Sequence, residues 1–212
     1  QLLWDSVGAQ KRMAGTGPMT LRVYTAQAPV VAEVLEREGI CHCRADMIQK
    51  KYGNCAPGFL TAYEFLAERA QAFMPRPKGA ELPYWVFPDK RLVDQSAHTL
   101  VLDVPEEQIL LFRLDLWNRV LQLRYIGKDR ADTAAFEREM ARQGLNTVQV
   151  MTTAFYPQWK QRIFESWERL LLPENRMDPV KQVDLQNVQG MVWELRREWL
   201  VRPAAESLGV YV

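Results

Sequence analysis

Histidine, cysteine and one-sided charge are what this 212-residue sequence has least of. It carries two histidines, His42 and His98, and neither sits near a Gly-x-Ser-x-Gly turn, so a serine hydrolase centre is not expected. Its three cysteines, Cys41, Cys43 and Cys55, are an odd number without disulfide-framework spacing, which points to a reducing, cytoplasmic compartment. Cys41-His42-Cys43 also lacks the Cys-x2–4-Cys spacing of structural zinc sites. In a strand, Cys41 and Cys43 share one face and His42 takes the other, so no metal is expected. Lys and Arg number 27 against 26 Asp and Glu. A net charge of +1 disfavours a broad nucleic-acid or anionic-membrane footprint. No apolar run approaches the ~20 residues needed to span a bilayer. Gly-x-Gly-x-x-Gly and Gly-Lys-Ser/Thr are both missing, which disfavours dinucleotide- and ATP-type phosphate cradles.

What is present is a globular composition, 48% hydrophobic and 25% charged, with seven tryptophans to fill a core. Residues 1–18 read as a flexible extension or leader. Residues 19–212 read as a single α+β domain, sheet-rich over 19–126 and helical over 127–212. The expected core is a small mixed or antiparallel sheet packed with helices. Strands are expected at Leu21–Thr25, Ile40–Arg44, Tyr84–Phe87, Leu100–Val104 and Ile109–Phe112. Helices are expected from Pro29 to Gly39, from Asp46 to Lys51 and from Pro57 to Met74. Asp115 is read as the cap of the next, and Asp132 or Thr133 as the cap of one ending at Gly144. Thr152 or Thr153 opens a helix carrying Trp159, Ile163, Trp167 and Leu170. Leu185, Val188, Val192, Leu195 and Trp199 recur at helical spacing and predict a last long helix from Asp184 to Pro203.

Several pieces then line up in order: Val23-Tyr24-Thr25-Ala26-Gln27, Tyr63 in a helix, and Pro77-x-x-Ala80-Glu81-x-Pro83-x-Trp85. Leu102-x-Val104-Pro105-x-x-Gln108-Ile109-Leu110-Leu111 and Asp115-Leu116-Trp117-x-x-Val120-Leu121 follow. Ser166-Trp167-Glu168-Arg169 and Gln189-x-x-x-Trp193-Glu194-Leu195 complete the set. From Leu21 to about Pro203 the chain resembles the family catalogued as domain of unknown function 3841. Tyr24 stands where that family usually has Trp, Phe112-Arg113-Leu114 replaces an acidic, serine-containing lead-in, and Gln122 replaces Asn. The resemblance implies one bacterial domain and brings no assigned activity.

Two functional readings follow from the residues. The leading one is a ligand- or partner-binding domain, taking a small molecule or a protein. Trp85, Trp117 and Trp199 are candidates to line its groove, with Lys50-Lys51 or Arg196-Arg197 at the rim. Under the alternative, the order of elements resembles ADP-ribosyltransferases, and NAD would be the cofactor; no cofactor is expected otherwise. That resemblance implies ligand contacts from Arg22, Tyr24, Thr25, Gln27 and Tyr84 or Trp85. Glu106 or Glu107, at a strand junction, would stabilise the positive charge that builds as a glycosidic bond breaks.

Overall fold

The computed structural model describes residues 18–94, 98–178 and 184–202. Most of the extension expected over 1–18, and the stop expected at Pro203, lie outside the described residues.

Strand β1 (Thr20–Ala26) alternates cleanly, with Leu21, Val23 and Thr25 buried and Arg22 and Tyr24 on the other face. Helix α1 (Pro29–Glu38) starts with Pro in its first turn and stops at Gly39, whose φ of 82° sends the chain out of the helix. Next come β2 (Ile40–His42), α2 (Ala45–Tyr52) and α3 (Ala56–Ala70). The first turn of α2 is tied by Glu81, whose carboxylate accepts from the Ala45 N–H at 2.9 Å. Helix α3 buries Ala62, Tyr63, Leu66 and Ala70 but stops short of the expected Met74, leaving Phe73 exposed under the Arg176 guanidinium. Then follow β3 (Tyr84–Val86), β4 (Thr99–Pro105), β5 (Leu110–Arg113) and α4 (Leu114–Leu121). Asp115 is not the cap of α4. It lies in the first turn, held by Arg113 and by the Asn187 amide.

In the second half, α5 (Arg130–Arg142) is capped by Asp129, earlier than the expected Asp132 or Thr133. The helix expected to open at Thr152 or Thr153 starts later, as α7 (Pro157–Trp167), and an unexpected short helix, α6 (Thr147–Thr152) capped by Asn146, precedes it. Tyr156, with a φ of 63°, breaks the chain between them, and Pro157 restarts it in the first turn of α7.

A two-residue strand β6 (Arg176–Met177) follows, and the helix expected from Asp184 to Pro203 is replaced by β7 (Val188–Val192) and β8 (Glu194–Arg196). Every residue of β7 is buried, so its apolar residues do not alternate and a spacing of three and four arises by coincidence. Gly190 settles the matter sterically. A Cβ there would lie 2.8 Å from Val86 Cγ2 and 3.1 Å from Leu111 Cδ2. The interior of a helix has no use for such a residue, whereas a strand between two others needs it.

Among the described residues all strand pairs are antiparallel, in three small sheets: β1 with β4, β2 with β8, and β3-β7-β5-β6. Isolated bridges link the sheets, Tyr24 to Phe87 and Leu102 to Leu200 among them. One contiguous core runs from β1 through α3 and α4 to α7, with Trp117 and Trp167 fully buried. The fold is α+β as expected, with its central strand drawn from the last stretch of sequence.

Candidate functional site

The C-terminal end of β1 and the start of α1 meet α2, β3, α4 and the middle of β7 around a cleft of about 1040 Å³. That is the upper end of the range for small-molecule sites, roughly 300–1,000 Å³. Its walls are aromatic. Trp85 on β3 lies 4.6 Å from Trp117 on α4 and 5.0 Å from Tyr63 on α3, ring centre to ring centre. Tyr52, at the end of α2, stacks on Phe59 at 4.1 Å. Each such pair contributes about 0.5–1.5 kcal/mol beyond burial, so the cluster is a rigid wall.

The titratable groups in this wall are held neutral. Burial pushes the Cys43 thiol up to about 11. Burial also raises the Tyr63 phenol, aided by Tyr52, and the Tyr84 phenol, whose oxygen lies 3.1 Å from Cys41 Sγ. The Trp85 indole nitrogen is sealed from solvent and has no hydrogen-bond partner among the described residues, and its N–H dipole opposes part of the Tyr63 rise. None of these groups is poised as a nucleophile at neutral pH.

The neutral polar groups form a directed chain. Thr25 Oγ1 donates to the Trp85 carbonyl at 2.7 Å and accepts from Gln27 Nε2 at 2.9 Å. Gln189 enters from β7, 2% exposed, with its Nε2 donating to the carbonyls of Val86 and Gly190. Lys50 and Lys51 stand on the α2 side and Asp94 on the loop after β3.

Of the residues singled out in the sequence, Thr25, Gln27, Tyr84, Trp85 and Trp117 come together around this cleft. Arg22, Tyr24, Glu106 and Glu107 are not among the residues that line it. Arg22 points from the opposite face of β1 and makes a bidentate pair with Asp103, both contacts at 2.9 Å. Glu106 is half-buried and Glu107 exposed in a short 3-10 turn between β4 and β5. The groove of three tryptophans does not form. Trp199 is buried elsewhere, beside Arg196, and only Trp85 and Trp117 share the cleft. Of the two basic rims, Lys50-Lys51 borders the cleft, whereas Arg196 is committed to Glu194.

Cys41 and Cys43 share a buried face and Cys55 is exposed. His42 turns away to Glu194, 2.9 Å from its carboxylate. Among the described residues no three potential metal ligands cluster. A smaller cavity of about 410 Å³ near the start of α5 is bordered by Arg113 and Arg119, which are already bound to Asp115 and the Tyr125 carbonyl. Gln189 is the site residue that the sequence reading missed, because its segment read as a helix. The available signal was a polar residue inside the apolar run Val188-Gln189-Gly190-Met191-Val192.

Together the layers and the cleft define an α+β protein built around an aromatic, ligand-sized hollow. A family model described as domain of unknown function (DUF3841) matches residues 22–201, and the chain belongs to that family. No curated protein and no solved structure matches it. No helix among the described residues is long and apolar enough to cross a membrane.

Proposed function

We propose that this chain binds a small, flat, aromatic molecule bearing an acidic group. The observation that carries the proposal is the cleft itself: ligand-sized, walled by Trp85, Trp117, Tyr52 and Tyr63, with few polar groups at defined points. A flat ring gains most against such walls, since face and edge contacts with aromatics need little reorganisation. Lys50 and Lys51 supply positive charge on one side to meet an anionic substituent. The concavity suits a small molecule better than a folded partner, which needs a broad surface of roughly 800 Å² per side. The NAD-transferase alternative draws no support from the geometry. Arg22 is tied to Asp103, and neither Glu106 nor Glu107 borders the hollow.

The test uses anilinonaphthalene sulfonate, a flat aromatic anion. A single saturable site on the folded protein is expected, with energy transfer from Trp85 and Trp117. The Val30→Trp variant plugs the mouth from an exposed position on α1 and is expected to abolish that site. Binding that is absent, or that persists unchanged in Val30→Trp, overturns the proposal.

A further inference from the structure

We infer that the cleft selects ligands carrying a hydrogen-bond donor, an amino-substituted nitrogen heterocycle with an anionic arm, and that Gln189 reads the donor. This rests on the reading of the cleft as a small-molecule site and adds the ligand's chemistry. Gln189 is 2% exposed, and its Nε2 donates to Val86 O at 3.0 Å and to Gly190 O at 2.9 Å. Both amide hydrogens are thereby used. The orientation of the amide is fixed as well, because a flipped group would set oxygen against two carbonyl oxygens.

What remains is Oε1, which accepts nothing from the described residues. It is not sealed in. Among the described residues Trp85 Nε1 is the side-chain polar atom that is both closed off from solvent and unpartnered, and Gln189 borders the cleft. An amide oxygen held rigidly in an apolar hollow is costly to leave unpaired, so it favours a ligand that brings an N–H. It equally disfavours a ligand that brings a lone pair to the same point.

A second acceptor lies on the β1 side. The Thr25 hydroxyl donates to the Trp85 carbonyl and so must accept from Gln27 Nε2, which leaves Gln27 Oε1 uncommitted. Two amides on different elements, each with an uncommitted oxygen, thus border one aromatic cleft. A flat ring with an amino group satisfies both the aromatic walls and an acceptor. Lys50 and Lys51 make no ion pair with the described residues and receive the anionic arm, with Asp94 the acidic residue that also borders the cleft.

The experiment is a calorimetric titration of the full chain with two probes that differ in one group. One is AMP, and the other is the purine ribonucleoside monophosphate that lacks the exocyclic amine. AMP is expected to bind about tenfold more tightly or better, the scale of one buried hydrogen bond. Gln189→Met is expected to erase that preference, and Gln27→Met, at a half-buried position outside the central sheet, to reduce it. Equal affinity of wild type for the two probes overturns the donor assignment while leaving the cleft as a binding site. Failure of both probes at millimolar concentration also overturns it, and the anilinonaphthalene sulfonate titration then decides separately whether the cleft binds at all. The wild-type comparison stands even if Gln189→Met does not fold.

Discussion

The cleft and the β4–β5 junction both drew attention in the sequence, and they treat polar groups in opposite ways. Near the junction, charges are many and lie away from the cleft. Arg22 is matched by Asp103 across the β1–β4 pair, and Glu106 and Glu107 sit in a short turn, half-buried and exposed. In the cleft, Lys50, Lys51 and Asp94 make no ion pair with one another or with other described residues, and the Gln27 and Gln189 amides are held by their own donors with an oxygen left open. Charged residues at a strand junction are most simply solubility and register devices. An uncommitted oxygen inside an aromatic wall has no comparable structural use. On the proposed reading, the contrast locates function by what a polar group leaves undone rather than by how charged it is.

The largest way to break the contrast is to remove the floor of the cleft. Trp117→Ala, at a position 1% exposed, is expected to cost about 3–5 kcal/mol in chemical denaturation and to abolish binding. A loss below about 1 kcal/mol would mean that the wall is not packed as described. Gly190→Val comes next. Its side chain meets Val86 and Leu111 in the middle of the sheet, for about 1–3 kcal/mol or more, and a neutral effect would contradict the β3-β7-β5 order.

Cys43 sharpens the comparison through pH. Its ordinary value of 9.0 is raised to about 11 by burial, so the folded chain holds this proton more tightly than the unfolded one. The sign follows: the contribution is full below the ordinary value and is lost as pH rises through the folded one. Stability is therefore expected to fall between about pH 9 and pH 11, less steeply in Cys43→Ala. A pH slope unchanged by that substitution would argue that the thiol is not buried in the wall.

The smallest effects belong to the junction. Arg22→Ala should change stability by about 0–1 kcal/mol, since the pair is partly exposed, and should leave ligand binding untouched. Glu106→Gln and Glu107→Gln should fall within about 0.5 kcal/mol. If either carboxylate variant lost binding while staying folded, the junction would belong to the site after all.

How far the sequence reveals this arrangement depends on the kind of element. β1, β4 and α1 are legible because alternation, Pro29 and Gly39 act locally. Thr25, Gln27, Tyr84, Trp85 and Trp117 are legible as candidates through their order and chemistry, although nothing local shows that they converge. Arg22 and Thr25 look equally eligible in the sequence. The pleat of β1, which sends them to opposite faces, separates them. Gln189 is hidden twice. A strand with both faces buried carries no alternation to mark it, and its contact with Val86 spans 103 positions. The end of α6 and the start of α7 are obscured because Thr152 and Thr153 resemble caps, whereas each hydroxyl donates back to a carbonyl four residues earlier.

The most direct measurement follows the indole N–H signals of the seven tryptophans by nitrogen-edited NMR during a titration with AMP. Saturable shifts of the Trp85 and Trp117 signals are expected, with those of Trp159, Trp167, Trp193 and Trp199 still. Shifts confined to the latter group would contradict the assignment of the cleft as the binding site, whereas no shift at millimolar AMP would contradict the donor assignment, and the same titration with anilinonaphthalene sulfonate would then decide the cleft.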